Sequence, residues 1–252
     1  MKSVYCSPIA ILSLFILTAV SFADAPKFEF DYTKETLSNG QYYNTSYFYV
    51  TKKTANNTMV ISVQNSDRNG AKDTSFSLGD YFDISSELYG YINTIINPSP
   101  NVLPQNSLEL EAGWSRLKPA VLIANYKRRN YPSLFVEIYG IGTDYYFIFP
   151  GWLYARIYCS KSSDGITTTS GVTKIFYEPN EKLRLYIGYA TGSEAYKDIS
   201  SAAVFGFKAN TPMAGVQYKI NDNYGIKADI SREYRDSGVI DSLLNIGAFS
   251  QW

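Results

Sequence analysis

The fold of this chain is indicated most clearly by the stretch Leu243-Leu244-Asn245-Ile246-Gly247-Ala248-Phe249-Ser250-Gln251-Trp252, in which apolar and polar residues alternate. Successive side chains of a β-strand point to opposite faces of a sheet. The alternation separates two sets of side chains, Leu244, Ile246, Ala248 and Trp252 on one face and Asn245, Gly247 and Gln251 on the other. The segment therefore predicts a terminal β-strand with one apolar face and one polar face.

This terminal strand resembles the C-terminal insertion signal of bacterial outer-membrane β-barrels, in which a polar residue and a glycine two positions later precede a terminal aromatic. Asn245, Gly247 and Trp252 carry the resemblance, whereas Ser250 stands where the signal prefers an aromatic residue. The resemblance implies the barrel-assembly machinery of the outer membrane as a partner. From this segment alone, a soluble β-sandwich that ends on its last strand is the alternative.

The N-terminal residues have the layout of a secretory signal peptide. Lys2 precedes an apolar stretch from Ile9 to Val20, and the small residues that follow suit cleavage after Ala23 or Ala25. We therefore expect residues 1–23 to be a cleaved signal peptide. Residues 24–252 are expected to form a single domain, because all-β barrels of this length do not need to divide.

The amino-acid composition limits the classes of function that this chain can have. Acidic and basic residues balance at 23 each, so a nucleic-acid-binding surface is not expected. With Cys6 in the predicted signal peptide, Cys159 is the one cysteine expected in the mature chain, so no intrachain disulfide is predicted. The 23 tyrosines contribute to an aromatic content of 16%, which suits pleated strands and the aromatic belts of membrane barrels.

Alternating segments between clusters of Gly, Pro, Asn, Asp and Ser predict about 14 strands, within a range of roughly 12 to 16. The clearest is the sixth, in which Leu108, Leu110, Ala112 and Trp114 alternate with Glu109, Glu111, Gly113 and Ser115. The twelfth predicted strand, Ala203 to Ile220, changes parity at Thr211-Pro212. This change predicts a β-bulge at Pro212; the alternative is two short strands, which would make the strand total odd.

The predicted connections alternate in length along the chain. The longer, polar ones are centred near Asn69, Ser99, Arg129, Ser163, Glu194 and Asp236, and the intervening connections are mostly short turns. Short periplasmic turns opposite longer extracellular loops are typical of outer-membrane barrels. In lipid a sheet must close, because an open edge leaves backbone groups without hydrogen bonds. We therefore predict an all-β, closed antiparallel transmembrane β-barrel in the Gram-negative outer membrane, with no loop long enough to plug its lumen.

From Tyr145 onward the sequence resembles the YaiO-type outer-membrane β-barrel family. The resemblance is carried by Trp152-Leu153-Tyr154-Ala155-Arg156, Ser163-Asp164-Gly165, Lys174-Ile175-Phe176-Tyr177, Leu185-Tyr186-Ile187-Gly188-Tyr189 with Gly192-Ser193, and Glu233-Tyr234-Arg235-Asp236. Lys174 stands where an arginine is expected in that family. The resemblance implies an outer-membrane barrel and brings no established enzymatic activity.

The absence of histidine argues against an enzyme. Barrels that hydrolyse lipids or peptides commonly use histidine as the general base at neutral pH. No metal site that uses histidine or several cysteines can form in the mature chain, and no cofactor is expected. Glu109 and Glu111 are interpreted as solvated lining rather than as a glycosidase pair, and Cys159 as an outward-facing apolar side chain rather than a nucleophile.

Charged residues on the predicted inward faces are the candidate functional residues. This predicted lumen lining consists of Glu29, Asp31, Glu109, Glu111, Glu137, Arg156, Arg184, Lys208, Lys219, Lys227 and Asp229. Barrel closure is expected to set Glu29 and Asp31 opposite Lys227. Such a lining either polarises a pore and selects solutes, or neutralises itself and holds the barrel shut.

Two hypotheses of function follow from the sequence. The first is a non-enzymatic outer-membrane barrel, either a narrow pore or a structural or accessory component of the cell envelope. Its expected partners are an unidentified solute or envelope protein and the outer-membrane lipids, including lipopolysaccharide, whose phosphates Lys127-Arg128-Arg129 would contact unless these residues form only a solvated loop. The alternative is a secreted soluble β-protein that binds carbohydrate through four surface tyrosines, Tyr42, Tyr43, Tyr47 and Tyr49.

Overall fold

The computed structural model describes residues 26–192 and 208–251, so the predicted signal peptide and Trp252 lie outside the described residues. The strands are β1 (Lys27–Leu37), β2 (Tyr42–Lys53), β3 (Asn57–Arg68), β4 (Ala71–Asp83), β5 (Leu88–Ile96), β6 (Asn106–Trp114), β7 (Ala120–Asn130), β8 (Phe135–Tyr146), β9 (Gly151–Ser162), β10 (Thr167–Asn180), β11 (Leu183–Gly192), β12 (Ala209–Lys219), β13 (Tyr224–Arg235) and β14 (Ile240–Gln251). Within the two described ranges, no helix is long and apolar enough to cross a membrane.

The strands form one closed antiparallel barrel in which each strand pairs with its neighbours in sequence. β1 completes the ring by pairing with β14 along its whole length, from Lys27 opposite Gln251 to Leu37 opposite Asp241. No edge strand is left in the sheet, as a wall in lipid requires. The predicted fold class, an all-β closed barrel of about 14 strands, is confirmed.

The barrel is apolar outside and polar inside. Leu110, Leu185 and Ile246, on three different strands, point away from the lumen with 40%, 38% and 51% of their surface exposed. Among the described residues, buried polar and charged side chains outnumber buried hydrophobic ones. A soluble protein buries its apolar residues, so this distribution is the one expected of a wall with hydrocarbon outside.

The predicted contrast in loop length is wrong for most connections. The predicted polar loop around Asn69 is only the turn Asn69-Gly70, whose positive φ angles of 53° and 90° suit a tight hairpin. The flanking strands continue through polar residues, because water on both sides of the wall removes the need for alternation beyond the hydrocarbon. Among the connections that lie within the described residues, 97–105 is the longest, and it leaves the end opposite the chain termini. Residues 193–207, between β11 and β12, lie outside the described residues.

The predicted bulge at Pro212 is also not observed. Pro212 lies opposite Tyr189 in a continuous β11–β12 register, so Thr211 and Met213 both point inward. The ladder to β13 is interrupted there instead, since proline has no N–H to donate. The predicted start of this strand at Ala203 lies outside the described residues.

Candidate functional site: the charged lumen

A cavity of about 640 Å³ occupies the barrel interior. Its charged lining consists of Asp31, Glu35, Glu109, Glu111, Lys127, Lys174, Lys227 and Asp229. Its aromatic lining consists of Tyr47, Tyr49, Tyr154, Tyr158, Phe176 and Tyr186. A smaller cavity of about 300 Å³ also borders Tyr47, Tyr49, Glu109 and Glu111 and extends under residues 97–105.

The barrel seam carries the ion pairs that closure predicts. Lys227 on β13 contacts the carboxylates of Glu29 and Asp31 on β1, with 2.8 Å between Nζ and the nearer Asp31 oxygen. Gly247 on β14 lies between them in register, opposite both Asp31 and Lys227. A Cβ at Gly247 would overlap the Asp31 carboxylate, so the ion pair passes over a residue that has no side chain.

Asp229 organises the neighbouring part of the lining. It accepts hydrogen bonds from the Tyr186 hydroxyl at 2.6 Å and from Nδ2 of Asn245 at 2.9 Å. The first bond crosses β12 above Gly215, where a Cβ would overlap both Asp229 and Tyr186. Asn245, one of the residues that resemble the insertion signal, also accepts a hydrogen bond from Thr33 at 3.0 Å. These bonds link four strands across the seam.

On the opposite wall, most lining charges have partners on the adjacent strand. Lys127 lies 3.2 Å from Glu109, and Arg156 lies 2.9 Å from Asp144. The hydroxyl of Tyr89 donates to Glu111 at 3.2 Å. The charges of this wall are therefore partly neutralised.

The sequence analysis missed several inward charges, among them Lys127, Arg129 and Asp144. It assigned Lys127-Arg128-Arg129 to a loop, although β7 continues to Asn130 and places Lys127 and Arg129 on the inward face. Residues 127–130 are all polar, so no alternation of apolar and polar residues signalled that the strand continues.

Lys174 is the ammonium group of the cavity that has no carboxylate in contact. Its Nζ lies 4.9 Å from the centre of the Tyr186 ring, and within residues 26–192 and 208–251 it forms no ion pair. Among the described residues of the cavity lining, five carboxylates face three ammonium groups, so their summed formal charge is negative.

Two residues of the predicted lining lie elsewhere. Glu137 is on the outer face, opposite Arg128, and accepts hydrogen bonds from Tyr126 and Tyr139. The alternation of side chains along β8 is consistent with this position, because Glu137 shares its face with Tyr139 and the outward Ile141. Lys208 precedes β12 and is exposed, with its backbone bonded to Asp236.

Two other predicted residues lie at the rim that carries the chain termini. Arg184 pairs with Glu178 at 2.6 Å and lies 5.2 Å from the Trp152 ring. Lys219 is the exposed last residue of β12, on the inward parity. Neither residue borders the 640 Å³ cavity.

The described residues contain no cluster of three or more His, Cys, Asp or Glu side chains that could hold a metal ion. Cys159 is exposed on the outer face, opposite Tyr139 and Thr169. Of the four tyrosines in the soluble-protein alternative, Tyr47 and Tyr49 border the lumen rather than an outer surface. The arrangement can hold water and small ions along a charged path, as the interior of a channel does.

Comparisons with known proteins agree with this geometry. A family model described as YaiO membrane beta barrel domain matches residues 26–197. No curated protein matched the chain. A search of solved structures returned membrane channels and other outer-membrane barrels.

Three of these structures illustrate the likeness. CymD, a monoaromatic hydrocarbon channel, has a TM-score of 0.64 at 8% identity, with 92% of this chain and 89% of that chain covered. A bacterial polysaccharide outer membrane secretin has a TM-score of 0.59 at 9% identity, with 92% and 100% covered. The outer membrane protein Omp33 of Acinetobacter baumannii has a TM-score of 0.55 at 12% identity, with 92% and 100% covered. At these identities the likeness shows the fold alone.

Proposed function

Because the chain belongs to the YaiO membrane beta barrel family and is an integral outer-membrane barrel, we propose that its lumen is a narrow, cation-preferring, non-enzymatic pore. The observation that supports the proposal is the cavity of about 640 Å³, whose lining holds five carboxylates against three ammonium groups. Side-chain charges that line a pore set its ion preference. The lack of histidine and the position of Glu109 and Glu111 on one strand support a role without catalysis.

A structural or accessory role in the envelope is the second candidate. It is favoured by the pairing of most lumen charges, since Glu29, Asp31, Glu109 and Asp144 each contact a cationic side chain. A network of this kind holds neighbouring strands together whether or not ions pass.

Conductance in planar bilayers separates the two roles. The purified barrel should conduct, and under a KCl gradient its reversal potential should show a preference for K⁺. Glu109→Gln with Glu111→Gln should reduce that preference several-fold, because both carboxylates border the cavity. Glu137→Gln removes one carboxylate from the outer face and should leave selectivity unchanged, whereas Glu109→Gln alone, which removes one from the lumen, should already reduce it. A barrel that inserts but never conducts would leave the structural role.

The outer face supports a second proposal, a contact with anionic lipid. Near the end that bears residues 97–105, this face carries the cations Lys34, Lys72, Arg128, Lys161 and Arg232. Near the other end it carries exposed aromatic residues, Trp114, Tyr145, Tyr177, Tyr218 and Tyr224. Longer loops mark the extracellular side, so the cations lie at the level of the outer-leaflet headgroups. We propose that they bind the phosphates of lipopolysaccharide.

The strongest position for this contact is the outer surface of β7–β9. Arg128 and Lys161 lie on either side of Glu137 in register, and Lys161 forms no ion pair with a described residue. Of the predicted Lys127-Arg128-Arg129 loop, only Arg128 faces outward, and all three residues belong to β7.

Lipid binding can be measured by native mass spectrometry with bisphosphorylated lipid A. Arg128→Gln with Lys161→Gln should lower the bound fraction several-fold, because charge-assisted contacts to phosphate are lost. Lys174→Gln with Arg184→Gln removes the same two charges from the inward face and should leave binding unchanged. Equal binding by both double variants would exclude this site.

A further inference from the structure

Residues 97–105, which join β5 to β6, fold into the mouth of the lumen. Leu103 is only 3% exposed, and together with Pro104 it borders the 300 Å³ cavity. The sequence analysis predicted no loop long enough to plug the lumen; this segment narrows the mouth, while the 640 Å³ cavity below remains. Prolines at positions 98, 100 and 104 keep the segment out of the strand ladder, so it is free to turn inward.

The segment is held at its apex by one carboxylate. Asp73 on β4 accepts three successive backbone N–H groups, from Asn101 at 2.7 Å, Val102 at 2.7 Å and Leu103 at 2.5 Å. Nδ2 of Asn101 adds a bond of 2.7 Å to the carbonyl of Lys72. Hydrogen bonds to a charged acceptor are about twice as strong as neutral ones. Asp73 therefore supplies the main polar attachment of the apex to the wall.

The two ends of the segment are fixed separately from its apex. The N–H of Asn97 donates to the carbonyl of Gln105 at 2.8 Å, and the N–H of Gln105 donates to the carbonyl of Asn130 at 2.8 Å. These bonds remain possible whether the apex lies inside the mouth of the lumen or outside it. The segment thus has anchored ends and an apex whose polar attachment comes mainly from Asp73, which is the construction of a hinged flap.

Leu103 adds a hydrophobic attachment, because the side chain is almost fully buried. Around it, the cavity lining combines polar side chains such as Ser75 and Ser107 with the apolar Val60 and Ile95. Loss of the three hydrogen bonds to Asp73 removes the main polar attachment of the apex, so we expect the apex to leave the mouth far more often.

We propose that residues 97–105 form a gate over the extracellular mouth and that Asp73 latches it closed. The role of this segment as a gate rests on the proposed pore. The movement of its apex does not depend on that proposal and can be tested separately. With the latch released, Leu103 and Pro104 leave the lumen and the smaller cavity opens to the outside. The wall and its ion pairs stay in place.

Conductance of Asp73→Ala tests the gating. The variant should show open-channel conductance at least about twofold higher than the wild type, or a correspondingly higher open probability. Asp67→Ala is the matched control, because Asp67 lies near the same end and also accepts a backbone N–H, from Gly70 at 2.9 Å, but lies on the outward face of β3. The Asp67 variant should conduct like the wild type. Heat-modifiable migration of both variants confirms folding.

Thiol labelling tests the latch without requiring a pore. Leu103→Cys is placed in a chain whose Cys159 is replaced by serine, and intact cells are treated with a membrane-impermeant maleimide. Because Leu103 is buried, labelling should be slow, and Asp73→Ala should accelerate it about tenfold or more, whereas Asp67→Ala should not. Faster labelling without any conductance would support the latch and remove the pore. Unchanged labelling would overturn the latch even if the barrel conducts.

Discussion

Gly247 shows at the scale of one residue how the terminal strand serves both assembly and the lumen. It lies on β14 between Asp31 on β1 and Lys227 on β13. An added Cβ would overlap the Asp31 carboxylate and approach Lys227 Cε to 2.8 Å. Gly247 is part of the segment that resembles an insertion signal. The structure gives a further physical reason for glycine at this position: without a side chain, it lets the Asp31–Lys227 ion pair cross β14.

Gly247→Ala should weaken the seam. The new methyl group displaces Asp31 from Lys227, and we expect the free energy of unfolding to fall by about 1–2 kcal/mol, because a partly buried pair is worth more than an exposed one. Heat-modifiable gel mobility across a temperature series measures the change. Gly171→Ala is the control, since the nearest atom to its new Cβ, the carbonyl oxygen of Arg156, is 3.7 Å away. Equal melting of the two variants would contradict this account.

Glu137 shows how one misassigned face misplaces a charge. The sequence analysis counted it among the inward-facing residues, whereas the alternation observed along β8 sets it with the outward Tyr139 and Ile141. On the outer face it is tolerated because Arg128 lies 3.5 Å away and Tyr126 donates at 2.9 Å. Near the water interface a paired charge costs far less than at the centre of the bilayer.

At the scale of elements, the centres of strands were predictable and their ends were not. Strand centres face hydrocarbon on one side and a polar lumen on the other, so alternation is enforced there. Beyond the hydrocarbon both faces meet water, and the alternation fades. β3 therefore continues to Arg68, and β7 to Asn130, through residues that the sequence assigned to loops.

Contacts between side chains on neighbouring strands were predictable only at the seam, where closure of the barrel sets the first strand beside the last. Contact of Glu29 and Asp31 with Lys227 followed from setting the first strand beside the last, and the structure brings these three residues together. The pairs Glu109–Lys127 and Arg156–Asp144 depend on the register between neighbours, which the turns determine. The inward fold of residues 97–105 depends on Asp73, a contact with no local signature in the sequence.

At the scale of the whole molecule, the fold reverses the usual arrangement of polar and apolar residues. Ile187, in the middle of β11, is 65% exposed, whereas the neighbouring lumen holds carboxylates, ammonium groups and hydroxyls. In water, such an exposed isoleucine contributes little to stability. In lipid, the same side chain matches its surroundings, so the medium around the barrel determines which substitutions are tolerated.

Two matched arginine substitutions test whether the outer face of the barrel contacts lipid. Ile187→Arg, on the outer face, should lower the free energy of unfolding from lipid vesicles by about 2–4 kcal/mol, because it places a charge near the middle of the bilayer. Ser231→Arg, on the inner face of β13 and bordering the 640 Å³ cavity, should cost much less, since it meets water and carboxylates. Urea titration of vesicle-embedded protein measures both. If Ile187→Arg changed stability by no more than about 0.5 kcal/mol, as surface substitutions in soluble proteins do, the outer face would not be lipid-facing.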